Sequence, residues 1–351
     1  MLNNDTYISK NGNAAAYLLE QAMGSTFQAS LRVAALLGIA DKLKKGAKTI
    51  DELAKETNVN PKQLFRVMRM LAAKDIFAQT SDGKFELTPA AEFLRTDQFH
   101  SLHDAVLMLT DKTFWAPLGD LIHSLRSDTP FNDMFGESFY EYWADNKNYK
   151  DNYSFHTGMS SMSTVENYFL TQQYDFTDNS TVVDIAGGMG GLLLTVLQSN
   201  KTLHGILFDQ PEILKKHRLD DLGDPERWKT QAGSFFESCP TADFYLLKYI
   251  TMDWPTAQAQ KILQTCRNAM HDNSKLLILE PIIPTGNHWH GGNLIDLLLL
   301  ASFDGGQTRS KEELEILLDN ADLKLNRIID TGCYVSIAEA IPKPKTRQSV
   351  K

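Results

Sequence analysis

After Asp178 the chain alternates short apolar runs with helical ones, and no other feature restricts its fold as much. The strand candidates are "STVVDIAG", "TLHGILFD", "DFYLLKY" and "KLLILEP", with a closing pair at "LKLNRIID" and "CYVSIAEAI". Between them lie segments with helical spacing, such as "TAQAQKILQTCRNAM". This order predicts an α/β fold, an open and mostly parallel sheet with helices on both faces. In such a sheet the loops after the strands face the ligand crevice, so function is to be read from strand ends.

The first strand end is "VVDIAGGMGG", Val182 to Gly191, followed by the helix "GLLLTVLQ". It sets the carboxylate of Asp184 before a glycine-rich turn that includes Gly188 and Gly190. Glycines there let a ligand approach the backbone, and the helix start offers free N–H groups. Asp209 closes "GILFD" roughly 25 residues later, where a second-strand acidic residue grips ribose hydroxyls. The pair indicates a nucleotide cofactor without selecting one.

The first hundred residues read as helices ending in a hairpin. "NAAAYLLEQAMGSTFQASLRVAALLGIADKL" has apolar residues at helical spacing with a break near Gly38. Thr49 with Glu52, and Asn60 with Pro61, mark the starts of two short helices, and Asp82-Gly83 is a hairpin turn pair. Together they predict a winged helix-turn-helix over residues 1–102, with the remainder, 103–351, as the second domain. Lys62, Arg66 and Arg69 would lie on a recognition helix if the unit bound DNA. The net charge of −9 argues against nucleic acid as a partner, and the strongly apolar helices before the hairpin suit dimerisation better. From Ser101 to about Thr177 the sequence is aromatic-rich helix, as in "TFWAPLGDLIHSL", equally suited to core and to the wall of an apolar ligand pocket.

Bulk properties narrow the class further. A chain of 351 residues with 42% hydrophobic composition is globular and large enough for two domains. The start lacks the order of residues seen in secretory signals, and the longest apolar run, "LIDLLLLASF", is too short to span a bilayer and carries Asp296 inside it. The expectation is a cytoplasmic protein with no membrane partner. Cys239, Cys266 and Cys333 show no ligand spacing and are read as packing residues. His288 and His290 lack a third ligand, so no metal is expected. The closing "IPKPKTRQSVK" reads as a loose tail.

The ordered set "VVDIAGGMGG", "LFDQPEIL", "AGSFFESCP", "LLKYITMDW", "LLILEPII" and "GGQTRSKEELEILL", preceded by the winged helix, resembles the class I S-adenosylmethionine-dependent O-methyltransferases of the caffeate and hydroxyindole type, including their bacterial secondary-metabolite branch. The resemblance runs from about residue 15 to 342. It implies a Rossmann-like catalytic domain, S-adenosylmethionine (SAM) as cofactor, a homodimer built by the N-terminal domain, and a small-molecule acceptor. Asp184, Gly188 and Gly190 match the loop that receives the amino acid part of SAM, and Asp209 matches its ribose ligand. Phe235 would lie against the adenine, Lys248 matches a cofactor-contacting lysine, and Ser163 matches the serine of an "F-x-x-x-M-S" helix. Ala186 replaces the usual first loop glycine, which is tolerable if its φ is negative. Ser234 replaces the acidic residue that accepts from the adenine amino group, and a hydroxyl can still accept.

At the acceptor end the resemblance implies a histidine base immediately before "DW", but the chain has Met252 there, followed by Asp253 and Trp254. Glu280 matches the first of two acidic residues that flank that histidine; the second falls on Thr308. A phenol of pKa about 10 is ionised to roughly one part in a thousand at neutral pH, a deficit of about 4 kcal/mol. Three readings absorb it. The acceptor is already acidic or nucleophilic, so that alignment and desolvation suffice; or His156, Glu280 or Asp253 serves as the catalytic group; or the fold does non-methylating work with SAM bound, as a pericyclase, decarboxylase or hydroxylase. By resemblance the acceptor pocket is lined by Phe155, Met159, Met162, Met252, Trp254, Leu300 and Phe303, an apolar and adaptable set suited to a flat, greasy molecule.

Overall fold

In the computed structural model, residues 4–144 and 155–344 are described. Residues 145–154 of the aromatic-rich stretch and residues 345–351 of the expected tail lie outside them. Two compact units result: one contains the described residues through Asp111 together with 155–161, the other those of 112–144 and 162–344. The division falls at Asp111 rather than at the expected residue 102. The reason is a set of bonds that tie the helix His103–Leu109 to the N-terminal helices. Arg32 Nη1 donates to the Leu107 carbonyl at 2.6 Å, and His103 Nε2 lies 3.1 Å from the Ala35 carbonyl. Ser161 Oγ donates to the Ser101 carbonyl at 2.7 Å, which joins the start of the helix Phe155–Gln173 to the same unit.

In the first unit, Gly38 takes φ +60° between the helices Ser25–Leu36 and Ile39–Leu43. Thr49 and Glu52 form a reciprocal capping box on Ile50–Thr57, and Asn60 caps Pro61–Ala72 with proline in its first turn. Strands β1 (Phe77–Gln79) and β2 (Phe85–Leu87) pair antiparallel, with Gly83 at φ +84° in the connecting turn. Ile39, Leu53, Leu64, Met68, Phe77 and Phe85 close a single core. Tyr17, Leu18, Leu19 and Met23 remain exposed. Contiguous exposed apolar rows of this kind are uncommon on monomers and mark interaction surfaces.

The second unit is built on β3 (Thr181–Ile185), β4 (His204–Asp209), β5 (Trp228–Ala232), β6 (Phe244–Lys248), β7 (Lys275–Glu280), β10 (Leu323–Asp330) and β11 (Ser336–Pro342). A short parallel pair, β8 (Ile282–Ile283) and β9 (Arg309–Ser310), stands apart. Among the described residues the sheet order is β10-β11-β7-β6-β3-β4-β5, parallel from β7 to β5 and antiparallel where β11 joins. Val182–Ile185 and Phe244–Leu247 are buried throughout, as strands covered on both faces must be. Val183, Tyr245, Leu247, Ile262, Ile278 and Leu317 form the centre of one core layer. β5, "WKTQA", is exposed over four of its five residues and ends the sheet. β3 lies between β4 and β6, so the strand order reverses beside it and opens the crevice at its carboxyl end.

Candidate active site

The glycine turn sits at that reversal. Gly187 is required by closeness: a Cβ there would lie 2.5 Å from Asp184 Cγ. Gly188 and Gly190 take φ +60° and +79°, and Gly190 starts the helix Gly191–Ser199. A Cβ on Gly188 would meet nothing within 4 Å, so the space over that residue is open. Ala186 has φ +54°, which corrects the expectation of a negative φ. Its left-handed conformation is one that a side chain disfavours by about 1–2 kcal/mol. Asp184 is buried, and its Oδ2 has no hydrogen-bond partner among the described residues. Burial pushes its carboxyl up to about 7, with the nearby Lys248 charge opposing and the Asp209 charge adding. Asp209, at the end of β4, accepts from the N–H groups of Gly188 at 2.8 Å and Gln210 at 2.6 Å. The strand end and the glycine turn are therefore locked together.

Lys248 ends β6 inside a buried polar cluster that sequence reasoning missed. Its Nζ lies 2.7 Å from Glu166 Oε2 and donates to Asn167 Oδ1 at 2.9 Å. Glu166 Oε1 accepts from Tyr249 Oη at 2.6 Å and Tyr334 Oη at 2.5 Å. Burial and the Glu166 charge hold both phenols well above their ordinary range. Met162 and Ser163, both half-buried, each precede a member of the cluster by four residues and so share its helix face. The only sequence signal for the cluster was a Glu-Asn pair within a helix otherwise rich in small and aromatic residues.

On the loop after β5, Ser234 Oγ accepts from Phe236 N–H at 3.3 Å. The rings of Phe235 and Phe236 lie 4.8 Å apart, and Trp254, expected on the acceptor wall, has its indole 4.9 Å from Phe236 and 6.1 Å from Phe235. Trp254 therefore stands with this aromatic group.

Met252 is buried in a short 3-10 turn, Thr251–Asp253, just past the end of β6. Glu280 shapes that turn. Its carboxylate accepts from the N–H groups of Ile250, Thr251 and Met252 at 3.0, 2.6 and 3.2 Å and from the Thr251 hydroxyl at 2.8 Å. Burial pushes Glu280 above the usual carboxylate range, opposed by these donors and by Arg309. Asp253 Oδ2 accepts a short hydrogen bond from Tyr140 Oη. Burial raises Asp253 to about 7, with Tyr140 opposing and the Glu280 charge adding. Phe303 stacks 4.5 Å from Phe139 and meets Tyr140 edge-on at 5.5 Å; Leu300, three residues earlier on its helix, is half-buried. Phe155, His156 and Met159 belong to the first unit, where His156 is exposed; the other expected site residues all belong to the second.

A parallel sheet that reverses beside a glycine turn, with an acidic residue at or next to the end of two adjacent strands, is the arrangement of nucleotide-binding α/β proteins. The family model for the O-methyltransferase domain matches residues 115–324, and that for the O-methyltransferase dimerisation domain matches residues 19–97. The chain belongs to this O-methyltransferase family, whose cofactor is SAM. It is 34% identical to phenazine O-methyltransferase PhzM of Lysobacter antibioticus, over 93% of this chain and 96% of that one. It is 32% identical to the 2,7-dihydroxy-5-methyl-1-naphthoate 7-O-methyltransferase of Streptomyces carzinostaticus, over 88% and 93%. The crystal structure of CalO1, a methyltransferase in calicheamicin biosynthesis bound to S-adenosylhomocysteine, superimposes with a TM-score of 0.87 at 36% identity, covering 94% of this chain and 98% of that one. No helix among the described residues is long and apolar enough to cross a membrane.

Proposed function

We propose that this chain methylates a hydroxyl of a small, flat aromatic or polyketide-like metabolite, and does so without a histidine at the acceptor. The observation that carries the cofactor half of this reading is Asp184, a buried carboxylate with an unpartnered oxygen beneath an open glycine turn. Such a group is matched by the ammonium of the methionine part of SAM, which offsets the loss of hydration that burial imposes on the carboxylate. Asp209, already oriented by Gly188 and Gln210, would take the ribose hydroxyls. Phe235 would cover one adenine face, with the Ser234 hydroxyl accepting from the adenine amino group.

SAM supplies an electrophilic methyl on a positively charged sulfur, so the activation is the cofactor's own. What remains for the chain is alignment, exclusion of water and care of the acceptor's proton. Lys248, braced by Glu166 and Asn167, fixes the end of β6. Glu280 fixes the following turn and so the height of Met252. Tyr140 holds Asp253 at the same edge. Met252, Met162, Leu300 and Phe303 would supply apolar surface to the acceptor, and the names of the reported relatives, a phenazine and a dihydroxynaphthoate methyltransferase, favour such a molecule.

The exposed apolar row Tyr17, Leu18, Leu19 and Met23, together with the dimerisation-domain match, supports a homodimer. The deciding experiment is incubation with methyl-labelled SAM and a set of hydroxyphenazines and hydroxynaphthoates. Label in a methyl ether supports the reading, and product formed without consumption of SAM would sink it. Sedimentation of the wild type and Leu18→Glu tests the dimer, which the substitution is expected to weaken.

A further inference from the structure

Thr308 stands where the family carries its second acidic residue, yet the structure returns a carboxylate to that corner. The Thr308 hydroxyl and backbone N–H both donate to Asp296 Oδ1, at 2.9 and 2.8 Å. Thr308 is itself buried and fixed against the turn that contains Met252. Its neighbour Gln307 donates its N–H to the Met252 carbonyl at 2.8 Å, and Arg309 Nη1 donates to the Thr251 carbonyl at 2.9 Å. Asp296 comes from the helix Gly292–Ser302 and is therefore one hydrogen bond from the vacated acidic position. Both Thr308 donors are spent on Oδ1, and Oδ2 has no hydrogen-bond partner among the described residues.

A second chain of contacts reaches the same helix. Asp253 is bonded by Tyr140, and the Tyr140 ring meets Phe303. Asp296 and Leu300 lie four residues apart on that helix and so share a face, and Phe303 is the extended residue that caps its end. The turn at 252–253 is thus linked both to Asp296, through Thr308 and its neighbours, and to the end of the helix, through Tyr140 and Phe303. Leu300 and Phe303 are half-buried apolar residues toward one end of this segment, and Asp296 is the charged residue at the other. An ionised carboxylate only accepts hydrogen bonds, so the matching ligand group at that end is a donor.

We infer that Asp296 Oδ2 accepts the hydrogen of the acceptor's reacting hydroxyl, with Thr308 as the residue that positions it. This rests on the methyl-transfer reading above. As the acceptor oxygen bonds the methyl carbon, the carbon–sulfur bond breaks with its electron pair left on sulfur. The hydroxyl proton passes to Asp296 Oδ2. The proton acceptor has moved from the loop at 252 to the helix at 296, and Thr308 is the bridge between them.

The test compares an ordinary phenol, 1-naphthol, with an electron-poor one, 4-nitrocatechol. Asp296→Asn should lower kcat about 100-fold on 1-naphthol and less than about fivefold on 4-nitrocatechol, which ionises unaided. Thr308→Val should fall between, and Thr308→Ser, which keeps the hydroxyl, should stay near wild type. Losses equal on both phenols, or no loss, would overturn the assignment. A readout without turnover follows phenolate absorbance of 4-nitrocatechol bound to protein saturated with S-adenosylhomocysteine. A neighbouring carboxylate disfavours a second negative charge, so the bound probe should ionise about one pH unit higher in wild type than in Asp296→Asn. The same midpoint in both, or no binding of the probe, also overturns it. If the midpoints differ while no phenol gains label, the assignment of Asp296 stands and the methyl-transfer reading fails.

Discussion

Ala186 donates its N–H to the Phe208 carbonyl at 2.8 Å, and this bond holds a non-glycine residue at φ +54° where β3 runs into the glycine turn. The residue cannot relax without breaking a link to the neighbouring strand. Ala186→Gly removes the Cβ conflict, worth about 1–2 kcal/mol, at an unfolded-state cost of about 0.5–1 kcal/mol. The thermal midpoint should therefore rise, by up to about 2 °C for a chain of this size. A fall in differential scanning calorimetry would show that the alanine methyl makes a contact that outweighs its strain.

With Asp184 as the proposed partner of the cofactor's ammonium, cofactor binding should depend on pH. Its carboxyl titrates at about 7 because burial disfavours the charge. A cationic ligand group brought to it favours the ionised form, so binding expels a proton from whatever fraction is protonated. Affinity for SAM should level off above neutrality and fall, by up to about tenfold per unit, as pH drops below it. Calorimetry in buffers of different ionisation enthalpy reads both the affinity and the released proton. A flat profile from about pH 6 to about pH 8 would remove Asp184 from the cofactor site.

The same burial has a consequence for folding. Asp184 and Asp253 both sit at about 7, above their unfolded values. Between about pH 4 and pH 7 the folded chain therefore binds protons that the unfolded chain has released, and stability falls as pH rises through that window. The unliganded protein should melt at a lower temperature at about pH 8 than at about pH 5.5, and S-adenosylhomocysteine should narrow the difference. Equal midpoints without ligand would contradict the burial of these two groups.

Met252→His restores an imidazole next to Asp253 and above the Glu280-held turn. It should leave SAM affinity within about twofold and, in an Asp296→Asn background, speed transfer to ordinary phenols by about 10²-fold, the usual worth of a placed base. Cofactor affinity is measured by calorimetry and transfer by labelled product. A large loss of SAM binding would mean that residue 252 lies on the cofactor side of the crevice.

Lys248→Met leaves Glu166 as a buried charge short of its cation. The side chains of Lys248 and Glu166 are only 8% and 4% exposed. Removing one partner of such a pair costs about 3–5 kcal/mol. Tyr334→Phe, which takes away one donor, should cost about 1–3 kcal/mol. Urea midpoints of the two variants should fall in that order. A Lys248→Met protein as stable as wild type would show that this cluster is not a brace.

What the sequence disclosed follows from where each residue's partners lie. β3, β4, β6 and β7 are buried on both faces, so each is a continuous apolar run that can be seen without neighbours. β5 went unseen because "WKTQA" is an exposed border strand with no apolar alternation; only its ladder to β4 makes it a strand. Asp184 and Asp209 were legible because strand ends locate them. The Glu166 cluster was not, since its members come from a helix, the end of β6 and the turn before β11. Tyr140 was one aromatic among many, and nothing local marks it as the ring whose hydroxyl meets Asp253. Asp296 was visible only as a charge that interrupts an apolar helix, a local misfit whose cause, Thr308, lies in the next loop.

The two outer strands of the large sheet bear on how this protein behaves when concentrated. β5 presents Lys229 and Gln231 outward, and β10 carries Lys324 and Arg327 with an irregular register between Leu325 and Arg327. Positive charge and a bent ladder are what keep a free margin from templating another chain's backbone. Edge-to-edge pairing of sheets into fibres is therefore disfavoured at both margins.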